Sequence, residues 1–573
     1  MLEMESASVA IGENHMAWIE DAASDPGQLR RWNALTLPHL LERDDLALQK
    51  TAIVFDGSTR TYGELRVASR KVANALAGLG IEPGERVALL TRNRLEFMEI
   101  EAGISAARAI MVALDWRLRA DELANLLNRS AARAIFVEGR FLGTILELRR
   151  SGAVPALRTV IGLDRGTSDL SYEEILASTS DARPSRVGTL EDLHEIMFTS
   201  AATAEPRGVV YNDGTVLWNA IQQVSDFKLG PEHSTYMTLD QYDFGGRHNL
   251  WWSILHQGGT LHAKPSGGFD AAAVVRYIAD HRITHILWVP TMLHEILRVP
   301  GLDRYDLEAL QMIICGGQPV SATIVRRAHD AFPGADFFHV YGLAEAGGTV
   351  AFIRPAEGRT RPGSVGKAAA HVELRVIGDD GDEVAPGVSG EIAVRAPSVA
   401  VGYWLDLELT SHQFVDGWLH TGDVGYVDAD GFLYFTGRKS NVIVSGGLTI
   451  FPAEIASVLG EHPAVAEVAV FGLPDEKWGE TVCAVIQPAP GAVVDEHELI
   501  EYCSQRLASY KKPTSIRVVD QIPRDSAGEP QKSILRERVS RARGSPGITD
   551  GRDGPGITDG RDGPGATDGR QST

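Results

Sequence analysis

Cysteine is nearly missing from this chain: Cys315, Cys483 and Cys503 are the only three in 573 residues. They are too few and too scattered for a disulfide framework or a zinc site, and they read as small buried hydrophobes. Positive charge is also short, with 55 Lys and Arg against 76 Asp and Glu and a formal net charge of −21. Nucleic-acid binding needs clustered cations to neutralise phosphates, so no nucleic-acid partner is expected, and the acidic balance speaks for solubility. No apolar run approaches the roughly 20 residues of a membrane helix. The opening stretch MLEMESASVAIGENHM lacks the basic-then-apolar order of a secretory signal. The expectation is a cytoplasmic protein without a membrane span.

What is present is ample apolar material, 44% hydrophobic with 23% charged residues, as in a globular protein. At about 150 residues per domain, the length suggests three or four units. From Thr61, TYGELRVASRKVANALAGLG reads as a helix, with Thr61 and Glu64 as a capping box and Gly78 and Gly80 as the stop. RVALL, a helix from about Glu96 to Ala107, IMVAL, a helix near ADELANLLN and RAIFVE then alternate strand with helix, the pattern of a covered parallel sheet. The alternation resumes from TYMTL to FFHVYG. From about Val372, VELRVI, GEIAVRA and GFLYFTG read as a small antiparallel sheet, and about Ser440 to Val539 as an α+β unit. Beyond Arg543, three near-copies of a nine-residue Gly, Pro and Asp-rich unit have almost nothing to bury and read as disordered.

The chemistry concentrates first in 194–211, HEIMFTSAATAEPRGVVY, which reads as strand, loop, strand. Backbone N–H groups between hydroxyls, with one cation, are a usual build for a triphosphate cradle. Further along come the turn ICGGQP, the string Tyr341-Gly342-Leu343-Ala344-Glu345, and GWLHTGDVGYVDADGFLYFTGRKSNVI; IPRDSAGEPQKSILRE closes the series. Together these motifs resemble those of the adenylate-forming superfamily of acyl-CoA synthetases, luciferases and peptide-synthetase adenylation domains, over roughly residues 35 to 540. In the loop, Thr199, Ser200, Thr203, Pro206 and Gly208 match. Ala201 and Ala204 stand where the family has glycines, Ala202 and Ala344 where it has threonines, and Arg207 where it has a lysine.

The resemblance implies the following expectations. The fold is α/β: a large N-terminal domain of wound α/β subdomains and a small β subdomain, plus a mobile α+β C-terminal lid. The boundaries are an extension at 1–34, an AMP-binding domain at 35–437, a lid at 438–541 and a repeat tail at 542–573. Thr199, Ser200, Thr203, Gly316, Gly317, Tyr341, Gly342, Asp423 and Arg438 would bind nucleotide, with Tyr341 stacking on adenine and Asp423 accepting from ribose hydroxyls. Glu345 would help hold Mg²⁺, and Ser440 would be the hinge. Asp243, Phe244, Gly317 and His339 would face the acid. Asp243 stands where acyl-CoA synthetases carry a histidine and amino-acid-activating domains carry an aspartate that pairs with an ammonium. A solvated loop acid is the competing reading.

Arg207, Glu529 and Lys532 are the catalytic candidates. Glu529 occupies the place of the family's adenylation lysine; Lys532, about one turn later, could swing in for it, with a solvated surface lysine as the competing reading. Reversing that charge beside phosphate is worth roughly 4 kcal/mol per contact at 4 Å for an effective dielectric near 20. The implied function is an ATP-dependent ligase that forms an acyl-adenylate from a small carboxylic acid, amino-bearing or aromatic. It would pass the acyl group to CoA, a carrier thiol or an amine, using ATP, Mg²⁺ and CoA. The alternatives are a divergent homologue that runs a partial reaction, or a non-catalytic acyl- or nucleotide-binding partner.

Overall fold

The computed structural model describes residues 36–543, apart from 165–167, 187, 200–205, 319, 321, 359, 362 and 525–529. The N-terminal extension, the repeat tail, Ser200, Thr203 and Glu529 therefore lie outside the described residues. The chain divides into two compact units between Phe435 and Thr436.

The first unit is built on three sheets. One has eight strands in the order Gly402–Tyr403, Arg207–Asn212, Leu193–Thr199, Ile110–Leu114, Arg86–Leu90, Ala134–Val137, Thr159–Gly162 and Leu170–Ser171. Its interior is parallel, whereas Leu193–Thr199 and Arg207–Asn212 pair antiparallel, with Thr199 opposite Arg207. The stretch 194–211 thus begins and ends in two paired strands, as its sequence suggests. The second sheet has nine strands and includes Met312–Gly316, Asp336–Leu343 and Gly348–Ile353. Thr51–Phe55 and Ser58–Thr61, from the start of the chain, form its far edge, a long-range placement that local patterning does not carry. The third sheet, Glu373–Ile377, Gly390–Arg395, Trp418–Val427 and Phe414–Val415, is antiparallel.

Local chemistry explains the helices between these strands. Tyr62–Gly78 starts at Thr61, whose hydroxyl accepts from Glu64 N while Glu64 accepts from Thr61 N, so two orphan helix donors are satisfied reciprocally. Its apolar stripe, with Leu65, Val72 and Leu76 at 0% exposure, packs on the helix Glu96–Ala106. There Gly103 is required, because a Cβ would fall 2.5 Å from Val72. The interior strands Ile110–Leu114 and Ala134–Val137 are apolar throughout, as burial on both faces demands.

The second unit is a five-stranded sheet in which Val465–Asp475 and Gly479–Pro488 form the long central hairpin. The closing helix Lys532–Arg543 places Leu535 and Val539 against Phe471 and Leu473 of that hairpin. Arg524, paired with Glu467 at 2.7 Å, bridges Pro530, so the residues flanking 525–529 are tied to the sheet.

Candidate functional site

The strand Asp336–Leu343 ends in a short 3₁₀ turn, Ala344–Ala346, and most of the first unit's candidate residues gather around this junction. Tyr341 is buried, and its phenol donates to Asp423 Oδ2 at 2.8 Å. Asp423 lies on Trp418–Val427 just after Gly422, whose φ of +72° marks a left-handed turn that favours glycine. Glu391 Oε1 accepts from Gly422 N at 2.9 Å and fixes that turn. The Tyr341 ring centroid is 5.9 Å from that of Phe435. The residue expected to stack on adenine and the residue expected to hold ribose are thus hydrogen-bonded to each other.

Glu345 follows four residues after Tyr341. One carboxylate oxygen accepts from the Tyr403 hydroxyl at 2.9 Å, and the Glu345 carbonyl accepts from Ala400 N. Burial, then the Glu345 carboxylate, pushes the Tyr403 phenol well above its usual range, so it stays a donor; Arg207 partly opposes this. Arg207 is exposed at the start of its strand, and its carbonyl accepts from the Thr199 hydroxyl at 3.4 Å. Tyr211, from the same strand, donates to Ala344 O at 2.8 Å and so ties the first sheet to the turn. Tyr403 escapes sequence reasoning, since a tyrosine in Gly-Tyr-Trp carries no signal by itself.

Gly316 and Gly317 differ in kind. A Cβ on Gly316 would fall 2.4 Å from Val340 Cγ2 and 2.8 Å from Val340 O, so close strand packing requires glycine there. Gly317 has φ +87° and open space around it, so its requirement is conformational. Gly342 sits at a bulge where a Cβ would meet Gly348 O at 2.2 Å. His339, opposite Cys315 in register, is buried and bonded to backbone groups at Gln318 and Ser364; burial depresses its pKa to about 4, leaving it neutral. It is part of the sheet's interior.

Asp243 has a structural role. It is the half-buried N-cap of the short helix Phe244–Arg247 and accepts from Gly245 N at 3.3 Å. Burial, opposed by that bond and aided by Asp240 and Asp115, raises its pKa. The single cap bond does not offset burial at this carboxylate. Phe244 stacks on His248 at 4.7 Å and on Tyr211 at 5.9 Å, an aromatic wall that reaches the Ala344 junction through Tyr211. A cavity lined by Thr238, Gly245, Gly246, Asn249, Trp251 and Leu287 adjoins this segment and shares no lining residue with the Tyr341–Asp423 pair. Trp251 and Trp252 are core residues, each 1% exposed.

Behind this wall lies a buried ionic cluster that no sequence motif announces. Arg247 bonds Glu101 at 2.8 Å and Glu195 through both terminal nitrogens, and all three side chains are fully buried. The signal that could have found it is one of context: Glu101 in an apolar helix and Glu195 in the apolar strand HEIMF demand buried partners.

In the second unit, Arg438 is exposed and precedes the 3₁₀ turn Lys439–Asn441, which contains the expected hinge position Ser440. Lys532 is half-buried at the start of the last helix.

Two family models match the chain, AMP-binding enzyme over residues 43–404 and AMP-binding enzyme C-terminal domain over residues 454–529. An indoleacetate–CoA ligase of Aromatoleum aromaticum is 35% identical over 494 residues, covering 86% of this chain and 96% of that protein. Feruloyl-CoA synthase of an Amycolatopsis species is 32% identical over 500 residues, covering 87% and 98%. Among solved structures, the anthranilate CoA ligase AuaEII in complex with anthranoyl-AMP aligns with a TM-score of 0.82 at 26% identity, covering 91% of this chain and 99% of that one.

Proposed function

The chain belongs to the adenylate-forming AMP-binding enzymes and is an AMP-forming, acid-activating ligase; we propose that its acid is aromatic and that its acceptor is coenzyme A. The observation that carries the choice of acid is the Phe244, His248 and Tyr211 stack, which runs from the acyl-facing segment to the Ala344–Glu345 turn. Phe244 is the partly exposed ring of the stack, with His248 and Tyr211 buried behind it, and such a face suits an aryl group because offset ring stacking adds to area burial. The relatives named above act on indoleacetate, ferulate and anthranilate, which supports the same class.

In this reading, Asp423 accepts from the ribose hydroxyls and Tyr341 presents its ring to the base. Arg207, with Thr199 beside it, supplies positive charge toward the phosphates. The acid carboxylate attacks the α-phosphorus and pyrophosphate leaves; the thiol of coenzyme A then attacks the acyl carbon and AMP leaves. Glu345, oriented by the Tyr403 hydroxyl, would be the carboxylate that helps hold Mg²⁺. When bound, the ion would offset phosphate charge. Among the described residues no group of three or more His, Cys, Asp or Glu could hold a metal without substrate.

A second reading rests on the joint departures at Ala201, Ala204, Ala344 and Glu529. Two glycines, a hydroxyl and a cation of the family's adenylation apparatus are replaced together. A protein that has lost the first half-reaction and acts only on preformed acyl-adenylate would relax all four at once.

Pyrophosphate exchange with a panel of indole-3-acetate, ferulate, anthranilate, benzoate and short aliphatic acids tests the leading reading. Exchange driven by an aryl acid and not by the aliphatic ones is expected. Exchange with aliphatic acids alone would overturn the choice of acid, and exchange with none would favour the altered half-reaction.

A further inference from the structure

The short helix Phe244–Arg247 carries the aromatic wall at its first residue and a completely buried guanidinium at its last. Every contact of that guanidinium is directed. Nε donates to Gln241 O at 2.9 Å, Nη1 to Glu101 at 2.8 Å and to Glu195 at 3.0 Å, and Nη2 to Glu195. Glu195 also pairs with His248 Nε2 at 2.9 Å, the ring on which Phe244 stacks. Glu101 further accepts from Trp252 Nε1 at 3.2 Å and meets His194 Nε2 at 3.3 Å. The cluster therefore joins three elements: the helix Glu96–Ala106, the strand Leu193–Thr199 and the acyl-facing segment.

A buried ion pair is weak evidence for stability, since apolar residues of similar volume often do as well. What a forked guanidinium between two carboxylates provides is orientation. The segment it orients is tightly turned: a Cβ on Gly246 would fall 2.3 Å from Asp240 O, and Gly245 and Gly246 line the neighbouring cavity. Four residues of helix cannot hold such a turn by themselves. Resting on the proposed aryl-acid activity, we propose that Arg247, clamped by Glu101 and Glu195, is the positioning residue for acid recognition. It fixes Phe244 and the cavity wall without touching substrate.

The test compares Arg247→Lys, which keeps the charge and loses the fork, with Glu195→Gln, which keeps the shape and one acceptor oxygen but loses the charge and the second acceptor. With the aryl acid identified by exchange, Arg247→Lys should raise KM for the acid at least about tenfold. It should also compress discrimination among aryl acids and leave KM for ATP within about twofold; Glu195→Gln should move the same way and less. A fall in kcat alone, or equal rises in both KM values, would mean a merely structural role and overturn the proposal. If the wild-type protein activates no aryl acid, the functional reading fails separately, and hydrogen exchange then decides the clamp. Faster exchange in Arg247→Lys confined to 193–199 and 239–250 supports it, whereas unchanged exchange there overturns it. Should Arg247→Lys fail to fold, Glu195→Gln carries both measurements.

Discussion

The phenol of Tyr341 donates to the carboxylate of Asp423 at 2.8 Å, joining the end of a parallel-sheet strand to the small antiparallel sheet. Both side chains are buried, so the bond is made in low dielectric and holds the two groups in fixed alignment.

Asp423→Ala should therefore weaken AMP binding by about 1 to 3 kcal/mol, since the ribose donors and the Tyr341 hydroxyl would both lose an acceptor. Calorimetry with AMP reads this directly. Tyr341→Phe, which removes only the donor and keeps the ring, should cost less than Asp423→Ala. Equal AMP affinity in the Asp423→Ala variant and the wild type would place the ribose elsewhere.

The two glycines of the turn should respond differently to alanine. At Gly316 the new methyl collides with Val340 backbone and side chain, so overpacking of about 1 to 3 kcal/mol is expected. At Gly317 only the left-handed φ opposes it, costing about 1 kcal/mol. Denaturant midpoints should thus fall further for Gly316→Ala than for Gly317→Ala. The reverse order would show that the turn, and not the strand contact, sets the limit.

Stability should slope on both sides of neutrality for opposite reasons. For His194, burial lowers the pKa, but bonding to Asp213 and Glu101 outweighs it and raises the value to about 9. That contribution is fully present below the unfolded value of 6.5 and is lost as pH rises through 9. For His339, burial lowers the pKa to about 4, so stability is full above 6.5 and falls as pH drops toward 4. Thermal midpoints of His194→Gln should lose the alkaline slope between pH 6.5 and 9 while the acid slope remains. An alkaline slope identical to wild type would remove His194 as its source.

Much of this fold is legible in the sequence itself. The Thr61 and Glu64 capping box, the helix that follows it, and the strands RVALL, IMVAL and MIICG are readable because cap chemistry and fully apolar runs are local signals. The antiparallel set from Glu373 onward is readable because its strands alternate with polar turns. What the sequence does not carry is pairing over distance. Thr51–Phe55 joins a sheet whose parallel neighbour is Thr260–Ala263, Tyr403 meets Glu345, and Arg247 meets Glu101 and Glu195. Asp243 shows the converse: its residue type suggests a ligand, and its position gives it a helix cap.

Glu529→Lys separates the full ligase from the altered one. If the chain adenylates by its family's route, a cation in place of an anion beside the developing phosphate charge should raise the exchange rate. Loss of turnover with AMP affinity unchanged would instead assign Glu529 a new role, such as a base. The leading reading predicts the raised exchange rate, whereas the second reading, which rests on the departures at Ala201, Ala204 and Ala344, predicts loss of thioester formation from supplied acyl-adenylate.

The central claim is an AMP-forming ligase acting on an aromatic acid, and one incubation tests it most directly. Protein, ATP, Mg²⁺, coenzyme A and each aryl acid in turn are combined, and the products are read by mass spectrometry. The account predicts acid-dependent AMP together with the matching aryl-CoA mass. ADP in place of AMP, or AMP that appears equally without any acid, would contradict it.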